Sequence, residues 1–551
     1  MNSPETTRAA FAAWRADLAV NAWNADPHLA ALLALYPRGD TAAFVQFGAE
    51  VTGPIDAWAR ETNRDGALPQ LRRYDALGNR REAIVFHPEY HQIGRTAYRT
   101  GLMGLYATPG RELETLVYTY LLGQNGEAGH TCPFACTAGL IKTVQAAARD
   151  ATRGPVPAGS ASAEQAAAWL ERLYDPDYDT HFHGSQFLTE VQGGSDVGTN
   201  AVVARLDGDR WRITGEKWFC SVVDAHLFLM TARPEGAREG TAGLATFVVP
   251  RRKADGSVND FAIRRLKDKL GTRSMASAEV DFAGAEGWRV GDFRRTVEVV
   301  LNTSRVYNAV VACGFMQRAW REAEGYARHR LAFGRPIREF PAIARILARL
   351  NTEAHAARSS TFWVADMADR TAAGRGRPLE AEALRMLVNL NKIWTALTCP
   401  AAIRDAIEVL GGNGAIEEFS VLPRLLRDSL VIEAWEGGHG VLCAQILRDS
   451  QRLRLHEPMF ALLVEALPNA ELGGVRERWE RVVARPEAEA SWHIRDVVEE
   501  LRVEVQSALL IGEGSVRSVA VGAHLRASSR RGADPLDDLE LRDRVAVILE
   551  G

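Results

Sequence analysis

Cysteine is scarce in this sequence: six residues in 551, Cys132, Cys136, Cys220, Cys313, Cys399 and Cys443, with no Cys-x-x-Cys pair. That usage excludes a disulfide framework and paired-thiolate zinc motifs, and it predicts a reduced, cytoplasmic chain. There is no stretch of about 18 uninterrupted apolar residues, the length a membrane-spanning helix needs, so no membrane association is expected. The N-terminus, MNSPETTRAAFAAWRADL, lacks a cationic segment followed by an apolar run, so no signal peptide is expected. Neither sign of charge dominates: 66 basic side chains stand against 70 acidic ones, a net charge of −4. This argues against wholesale attraction to nucleic acid or anionic membranes. Internal repeats and low-complexity linkers are also lacking.

The rest of the composition is ordinary for a globular protein, 46% apolar and 25% charged. The length suits three to four domains of about 100–200 residues each. Residues 1–184 read as helical. In PGRELETLVYTYLLGQNG, Leu113, Leu116, Val117 and Leu121 recur at helical spacing until Gly123. GSASAEQAAAWLE (159–171) predicts another helix with a serine start. The period changes after His183. AVVARLDGDRWRITG holds two β-like runs joined at Asp207-Gly208, a hairpin signal. LFLMTAR, GLATFVVP and SAEVDF follow as short strands, so residues 185–285 predict a compact all-β unit. Residues 286–450 return to helix. Ile343, Ile346, Leu347 and Leu350 lie on one face, Phe362, Ala365 and Met367 continue the stripe, and AIRDAIEVL stops at Gly411-Gly412. Residues 451–551 add further helical stretches, SWHIRDVVEELRVEVQSALLIG among them. The expected fold is mainly α with a central β-domain, in segments 1–184, 185–285, 286–450 and 451–551.

Two segments carry groups suited to a polar ring. In FLTEVQGGSDVGTN (187–200), Gly193 and Gly194 allow a tight backbone, and Thr189 and Ser195 offer hydroxyls beside amides. Such a loop can bind a planar, polar-edged ring or a phosphate, or serve as a plain turn into the β-unit. In GEKWFCS (215–221), Trp218 and Phe219 precede Ser221. A tryptophan there can cover one face of a ring while the serine meets a heteroatom, or it can be a core aromatic.

Taken together and in order, these pieces resemble the acyl-CoA dehydrogenase family. RLKDKLGTRSMASAEVDF (265–282), NTSR with Arg305, YARHRLAFGRPI with Arg330 and Phe333, EVLGGNG with Gly411 and Gly412, and AWEGGHG with Glu436 and Gly437 extend the likeness over roughly 260 residues. EAGHTCPFACT, EKWFCSVVDAHL and IEEFSVLPRLLRDSLVIEAWEG resemble the AidB-type, alkylation-response branch. That branch also shares Pro341 where many dehydrogenases carry a flavin-contacting glutamine. The resemblance implies an N-terminal helical domain, a middle β-barrel-like domain and a C-terminal four-helix bundle, followed by a helical extension. It implies FAD held by Thr189, Ser195, Trp218, Ser221, Phe333 and Gly437, with Arg330, Gly411 and Gly412 reaching the cofactor of a neighbouring subunit. It further implies a homotetramer, a dimer of dimers, and an electron acceptor such as an electron-transfer flavoprotein. Glu436 stands at the catalytic base and Arg305 at a substrate-binding position, with an acyl-CoA or related thioester as substrate. Some relatives carry the base just before the arginine matching Arg305, but Ser304 stands there in this chain.

An α-proton next to a thioester is weakly acidic. Its removal needs a desolvated carboxylate near the α-carbon and a polarised carbonyl oxygen. Trp435 and a closed pocket are expected to desolvate Glu436 and raise its pKa. Outside the family context the same glutamate reads as a helix-end residue. Two family positions after the base, normally Thr or Ser and then Gln or Asn, are Gly438 and Gly440 here, with His439 between them. Looser FAD binding, compensation by His439, or a non-standard substrate would each fit that change. His87 and His91 share a helix face but lack further ligands, so no metal is expected. His181 and His183 read as supporting or surface residues, and Cys132 and Cys136 as small packing groups. The alternative reading is an alkylation-damage flavoprotein that binds DNA through its extension and has weak or vestigial dehydrogenase activity. Residues 451–551 hold 14 arginines and no lysine against 18 Asp and Glu, which disfavours DNA binding. Local basic clusters remain at Arg530-Arg531 and at Arg478, Arg481 and Arg485.

Overall fold

The computed structural model describes residues 3–36, 40–126, 128–154, 156–529, 538 and 540–550. Arg530-Arg531 therefore lies outside the described residues. The chain divides into two compact units, one of Met1–Pro54, Pro109–Gly126 and Arg305–Gly551, the other of Ile55–Thr108 and Glu127–Ser304.

The first unit is built on long helices. Pro341–Ala372 and Pro378–Leu410 each begin with proline in the first turn, where its missing N–H costs nothing. The second ends at Gly411, whose φ of +61° breaks the helix at the expected place. Both pack beside the helix Phe293–His329, which joins this unit from Arg305 onward. Of the predicted stripe, Leu347 and Leu350 are fully buried, while Ile343 and Ile346 are only half-buried. Farther along the same helix nearly every side chain is buried, including polar ones, so partners must be found inside. Arg358 meets Asp26, the cap of the helix Pro27–Leu35, and donates to Tyr120 Oη at 3.0 Å. The extension is packed onto these helices. Trp394 Nε1 donates to the Val498 carbonyl at 2.9 Å, Arg502 pairs with Glu353 at 2.8 Å, and Glu513 accepts from Ser359 and Ser518 at 2.6 Å.

In the second unit the strands close into a ring. Leu227–Pro234 pairs with Ala245–Pro250, that strand with Ser277–Arg289, then Arg210–Ser221, then Val203–Asp207, which returns in parallel to Leu227–Pro234. Closure removes free sheet edges. Gly184–Phe187 pairs in parallel with the first half of Leu227–Pro234, and Phe261–Leu266 pairs antiparallel with the first half of Ser277–Arg289. Phe228, Phe247, Val249, Val280 and Phe282 are buried within. The predicted hairpin at Asp207-Gly208 is present, with Gly208 at φ +63°.

The uniformly helical reading of residues 1–184 is corrected by an antiparallel hairpin, Gln70–Tyr74 with Arg80–Val85. Its strands are short and charged and carry no apolar alternation, which is why the pattern is silent. Tertiary contacts hold it: the buried Glu82 carboxylate accepts from Ile263 N at 2.9 Å, and Arg251 donates to the Glu82 carbonyl. The strand Phe261–Leu266 was likewise unpredicted.

Of the two readings of His181, supporting or surface, burial removes the second. His181 is fully buried, its ring 4.4 Å from Tyr98 and 4.9 Å from His183. His226 stacks on Phe182 at 4.6 Å, and His130 stacks on Tyr90 at 4.2 Å. Burial pushes His181 and His226 down to about 4 and His130 to about 3. The unfolded chain protonates its histidines near pH 6.5, whereas the folded unit holds these three neutral. Between those limits the unfolded state binds more protons, so stability rises with pH. A tenfold change in proton affinity is worth about 1.4 kcal/mol, so each histidine contributes on the order of 3 kcal/mol. The melting temperature should therefore be flat above about pH 6.5 and fall steadily toward pH 4, with His226→Phe shallowing the slope. Calorimetry showing no loss across that range would contradict the buried neutral cluster.

Candidate active site

The predicted residues fall on both units, and each group is built by its own unit. In the first unit, the helix Leu422–Ala434 ends at Ala434, and the next helix, His439–Leu453, begins three residues after Glu436. Glu436 lies on the connection with φ +55°, followed by Gly437 at +101°. The left-handed region costs a non-glycine residue roughly 1–2 kcal/mol, so something must hold it there.

Three side chains from two helices donate to carbonyls at and after the helix end, which lack intrahelical partners, and a fourth, Asn389, holds one of the three. Arg305 and Asn308, one turn apart, come from Phe293–His329. Asn308 Nδ2 donates to the Ile432 carbonyl at 2.8 Å, and Arg305 Nε and Nη2 both reach the Glu436 carbonyl at 3.3 Å. Asn389 and Lys392, again one turn apart, come from Pro378–Leu410. Asn389 Oδ1 accepts from Arg305 Nη1 at 2.6 Å, and Lys392 Nζ donates to the carbonyls of Glu433 at 2.7 Å and Gly437 at 2.9 Å. Gln445 Oε1 accepts from Arg305 Nη2 at 3.2 Å. Arg305, expected at the substrate, thus directs its guanidinium onto the turn that carries Glu436.

Burial pushes Lys392 down to about 8, while the Glu436 carboxylate pulls it upward. Burial also pushes Arg305 down to about 10, again against Glu436. Glu436 and Trp435 are half-buried. His439 turns its ring toward Glu433, Nε2 lying 3.8 Å from Oε2. Burial, reinforced by Lys392 and Arg495, pushes it down to about 4.

Elsewhere in this unit, Phe333 stands at the tip of a short hairpin, Leu331–Ala332 with Arg335–Pro336. Its φ is +52°, that of Gly334 is +85°, and the residue is 96% exposed. The Arg330 guanidinium lies 5.7 Å from the centre of the Phe11 ring. Gly411 and Gly412 face open space, since a Cβ on either would meet nothing within 4 Å.

In the second unit, the loop after Gly184–Phe187 is fastened by a buried ion pair. Lys217 Nζ lies 2.7 Å from Glu190 Oε1, with both side chains almost wholly buried. Glu190 Oε2 also accepts from Ala201 N at 2.6 Å and Gln192 Nε2 at 2.8 Å. Burial lowers the Lys217 ammonium against the pull of Glu190. Gly193 is required: a Cβ there would collide with Thr199 Oγ1 and the Asp196 carbonyl. Thr189 accepts through its carbonyl from Trp218 N at 3.0 Å, tying the loop to Arg210–Ser221. Ser195 is exposed on the loop, and Thr189, Trp218 and Ser221 are half-buried.

A β-bulge between Lys217 and Cys220 sets Trp218 and Phe219 opposite a single residue, which re-aims both rings. Lys267 Nζ sits 3.5 Å from the centre of the Trp218 ring and 2.9 Å from Glu279 Oε1. Ser221 Oγ lies 3.1 Å from Ser277 Oγ, to which Lys269 Nζ also donates at 3.2 Å.

Sequence reasoning missed Lys392, Asn389, Asn308 and the Lys217–Glu190 pair. A signal was available. Lysine makes up only six of the 66 basic side chains, and four of those six, Lys217, Lys267, Lys269 and Lys392, are in these two assemblies. A compact ammonium fits between carbonyls where a planar guanidinium does not.

Comparison with known proteins agrees with this architecture. The N-terminal domain of the adaptive response protein AidB matches residues 16–180, the acyl-CoA dehydrogenase middle domain matches 185–285, and the acyl-CoA dehydrogenase C-terminal domain matches 293–451. AidB of Escherichia coli K12 is 32% identical over 479 residues, 81% of this chain and 80% of its own. Acyl-CoA dehydrogenase family member 11 of Caenorhabditis elegans is 28% identical over 489 residues, 86% of this chain and 76% of its own. The crystal structure of C. elegans ACDH-11 in complex with C11-CoA superposes with a TM-score of 0.79 at 24% identity, over 91% of this chain and 88% of that one. The chain belongs to the acyl-CoA dehydrogenase family, in its AidB-like branch, and is a flavoprotein oxidoreductase.

Proposed function

We propose that the protein is an FAD-dependent acyl-CoA dehydrogenase in which Glu436 takes the α-proton of an acyl-CoA thioester. The observation that carries this reading is the turn itself: a half-buried glutamate in a strained backbone conformation, held by carbonyl contacts from buried Lys392 and Arg305. Strain of this kind persists where the surroundings over-determine it, and it clusters at reacting groups. The nematode relative, whose structure is of a C11-CoA complex, supports a fatty acyl-CoA as the substrate class.

FAD, when bound, supplies the acceptor for the β-hydride. The residues present fit it: Trp218 offers a flat face, Thr189 and Ser195 offer hydroxyls on an exposed loop, and Ser221 lies beside the bulge. Gly437, Gly438 and Gly440 leave room by Glu436, since a Cβ on the last two would meet nothing within 4 Å. His439 faces Glu433, so we assign FAD no contact with it. We read the chain as four segments, 1–184, 185–285, 286–450 and 451–551, in a cytoplasmic homotetramer whose reduced flavin passes electrons to a carrier such as an electron-transfer flavoprotein. Among the described residues no helix is long and apolar enough to cross a membrane.

The DNA-binding alternative is disfavoured by charge pairing in the extension. Arg476 pairs with Glu480 at 2.9 Å, Arg478 with Glu500 at 2.6 Å, Arg495 with Glu499 at 3.1 Å, and Arg526 with Glu504 at 3.2 Å. Pairs like these leave few cations to displace phosphate counterions.

Three measurements test the reading. Glu436→Gln should retain FAD and lower substrate-dependent flavin reduction by about 10²–10⁴, because the amide keeps the shape but cannot accept the proton. A wild-type rate in stopped-flow absorbance would remove Glu436 as the base. Sedimentation should show a tetramer, and Phe333→Asp should lower assembly and FAD content together; a stable FAD-bound monomer would count against the shared site. Anisotropy with duplex DNA should show no sub-micromolar binding at physiological salt, and tight, salt-sensitive binding would restore the alternative.

A further inference from the structure

Lys392 is fully buried in a chain that uses arginine for nearly all of its positive charge. A buried ammonium is costly unless oxygens surround it. It donates to the carbonyls of Glu433 and Gly437, on either side of Glu436. Between those anchors the backbone passes through the left-handed region at Glu436.

We propose that Lys392 is a positioning residue: by gripping the chain before and after Glu436, it fixes the direction in which that side chain leaves the backbone. The proposal rests on the reading of Glu436 as the base.

Three features support it. The grip brackets the residue, so neither the helix end nor the following glycine can relax without losing a contact. The same helix holds the turn a second time, through Asn389 and Arg305, so its one face sets the Glu436 carbonyl as well. An ammonium is also the suitable donor, because its three N–H bonds diverge from one atom toward separate carbonyls, whereas a guanidinium presents a planar fork. The charged groups facing Lys392 are Glu433, Glu436, Arg305 and His439, with Arg495 of the extension beyond His439. A base must lie within hydrogen-bond reach of the proton it takes, and a misplacement of about 1 Å can cost about 10²-fold in rate.

The test uses the FAD-loaded full chain with undecanoyl-CoA as probe, read by the rate of flavin reduction. Lys392→Met, which fills the same space without donors, should slow reduction by roughly 10–100-fold, with KM and FAD content near those of the wild type. On a Glu436→Gln background it should cost nothing further, because it acts only through that side chain. Lys392→Gln, with two N–H donors on a shorter arm, should fall between wild type and Lys392→Met; it takes over the test if the methionine variant does not fold. A wild-type rate in the variant, or an equal slowing on both backgrounds, would overturn the proposal. A wild-type rate in Glu436→Gln alone would instead remove the base assignment. Crystal structures decide the grip in that case, and also if the probe is not turned over: Glu436 should leave the left-handed region in Lys392→Met, and an unchanged φ would overturn the proposal.

Discussion

A left-handed backbone conformation costs a glutamate roughly 1–2 kcal/mol, and the candidate site depends on what keeps Glu436 there. The physical device is a buried cation paired with main-chain carbonyls. A helix end leaves its last carbonyls without partners, and a buried ammonium or guanidinium lacks water. Each solves the other's problem. Lys392 and Arg305 satisfy the turn, and the turn makes their burial tolerable. The cost of the strained glutamate is therefore offset by contacts from two long helices.

The second unit uses a related arrangement for a different purpose. There a buried ammonium meets a carboxylate, and Lys217 with Glu190 fastens a loop whose glycine admits no side chain. The bulge two residues on turns Trp218 and Phe219 away from the regular alternation of a strand. Fixed loop and re-aimed ring together present one flat aromatic face beside several hydroxyls. Lys267 above the Trp218 ring adds a positive charge to that surface, balanced by Glu279.

The extension reads as part of the first unit. Its helix Ile494–Gly512 is tied to the bundle through Trp394, Ser360 and Glu353, and its arginines pair locally with acids. Exposed ion pairs add little stability, but they do cancel local charge. Arg495 comes near His439 and Glu433, so the extension reaches the neighbourhood of the Glu436 turn. That proximity gives these residues a place near the candidate site that their composition alone does not suggest.

Much was legible in the chain. Period-2 runs and the Asp207-Gly208 turn marked the β-unit, Gly411 marked the end of a long helix, and ordered motifs marked the family, because each of these signals is local. The motifs also pointed to Glu436, Trp218 and Phe333 by position. What pattern could not give was anything whose stability comes from distant partners. The hairpin Gln70–Tyr74 with Arg80–Val85 exists because Glu82 is buried against another strand, and His181 is buried because aromatic rings from remote segments close over it. Arg305 pointed to substrate by resemblance, yet its guanidinium binds the Glu436 turn. Lys392 lay unmarked in an apolar helix. The sequence by itself determined the elements and the residue types available to the site. Only the tertiary structure decided which carbonyls those cations would hold, because burial, and with it the cost of an unpaired charge, arises only when the helices pack.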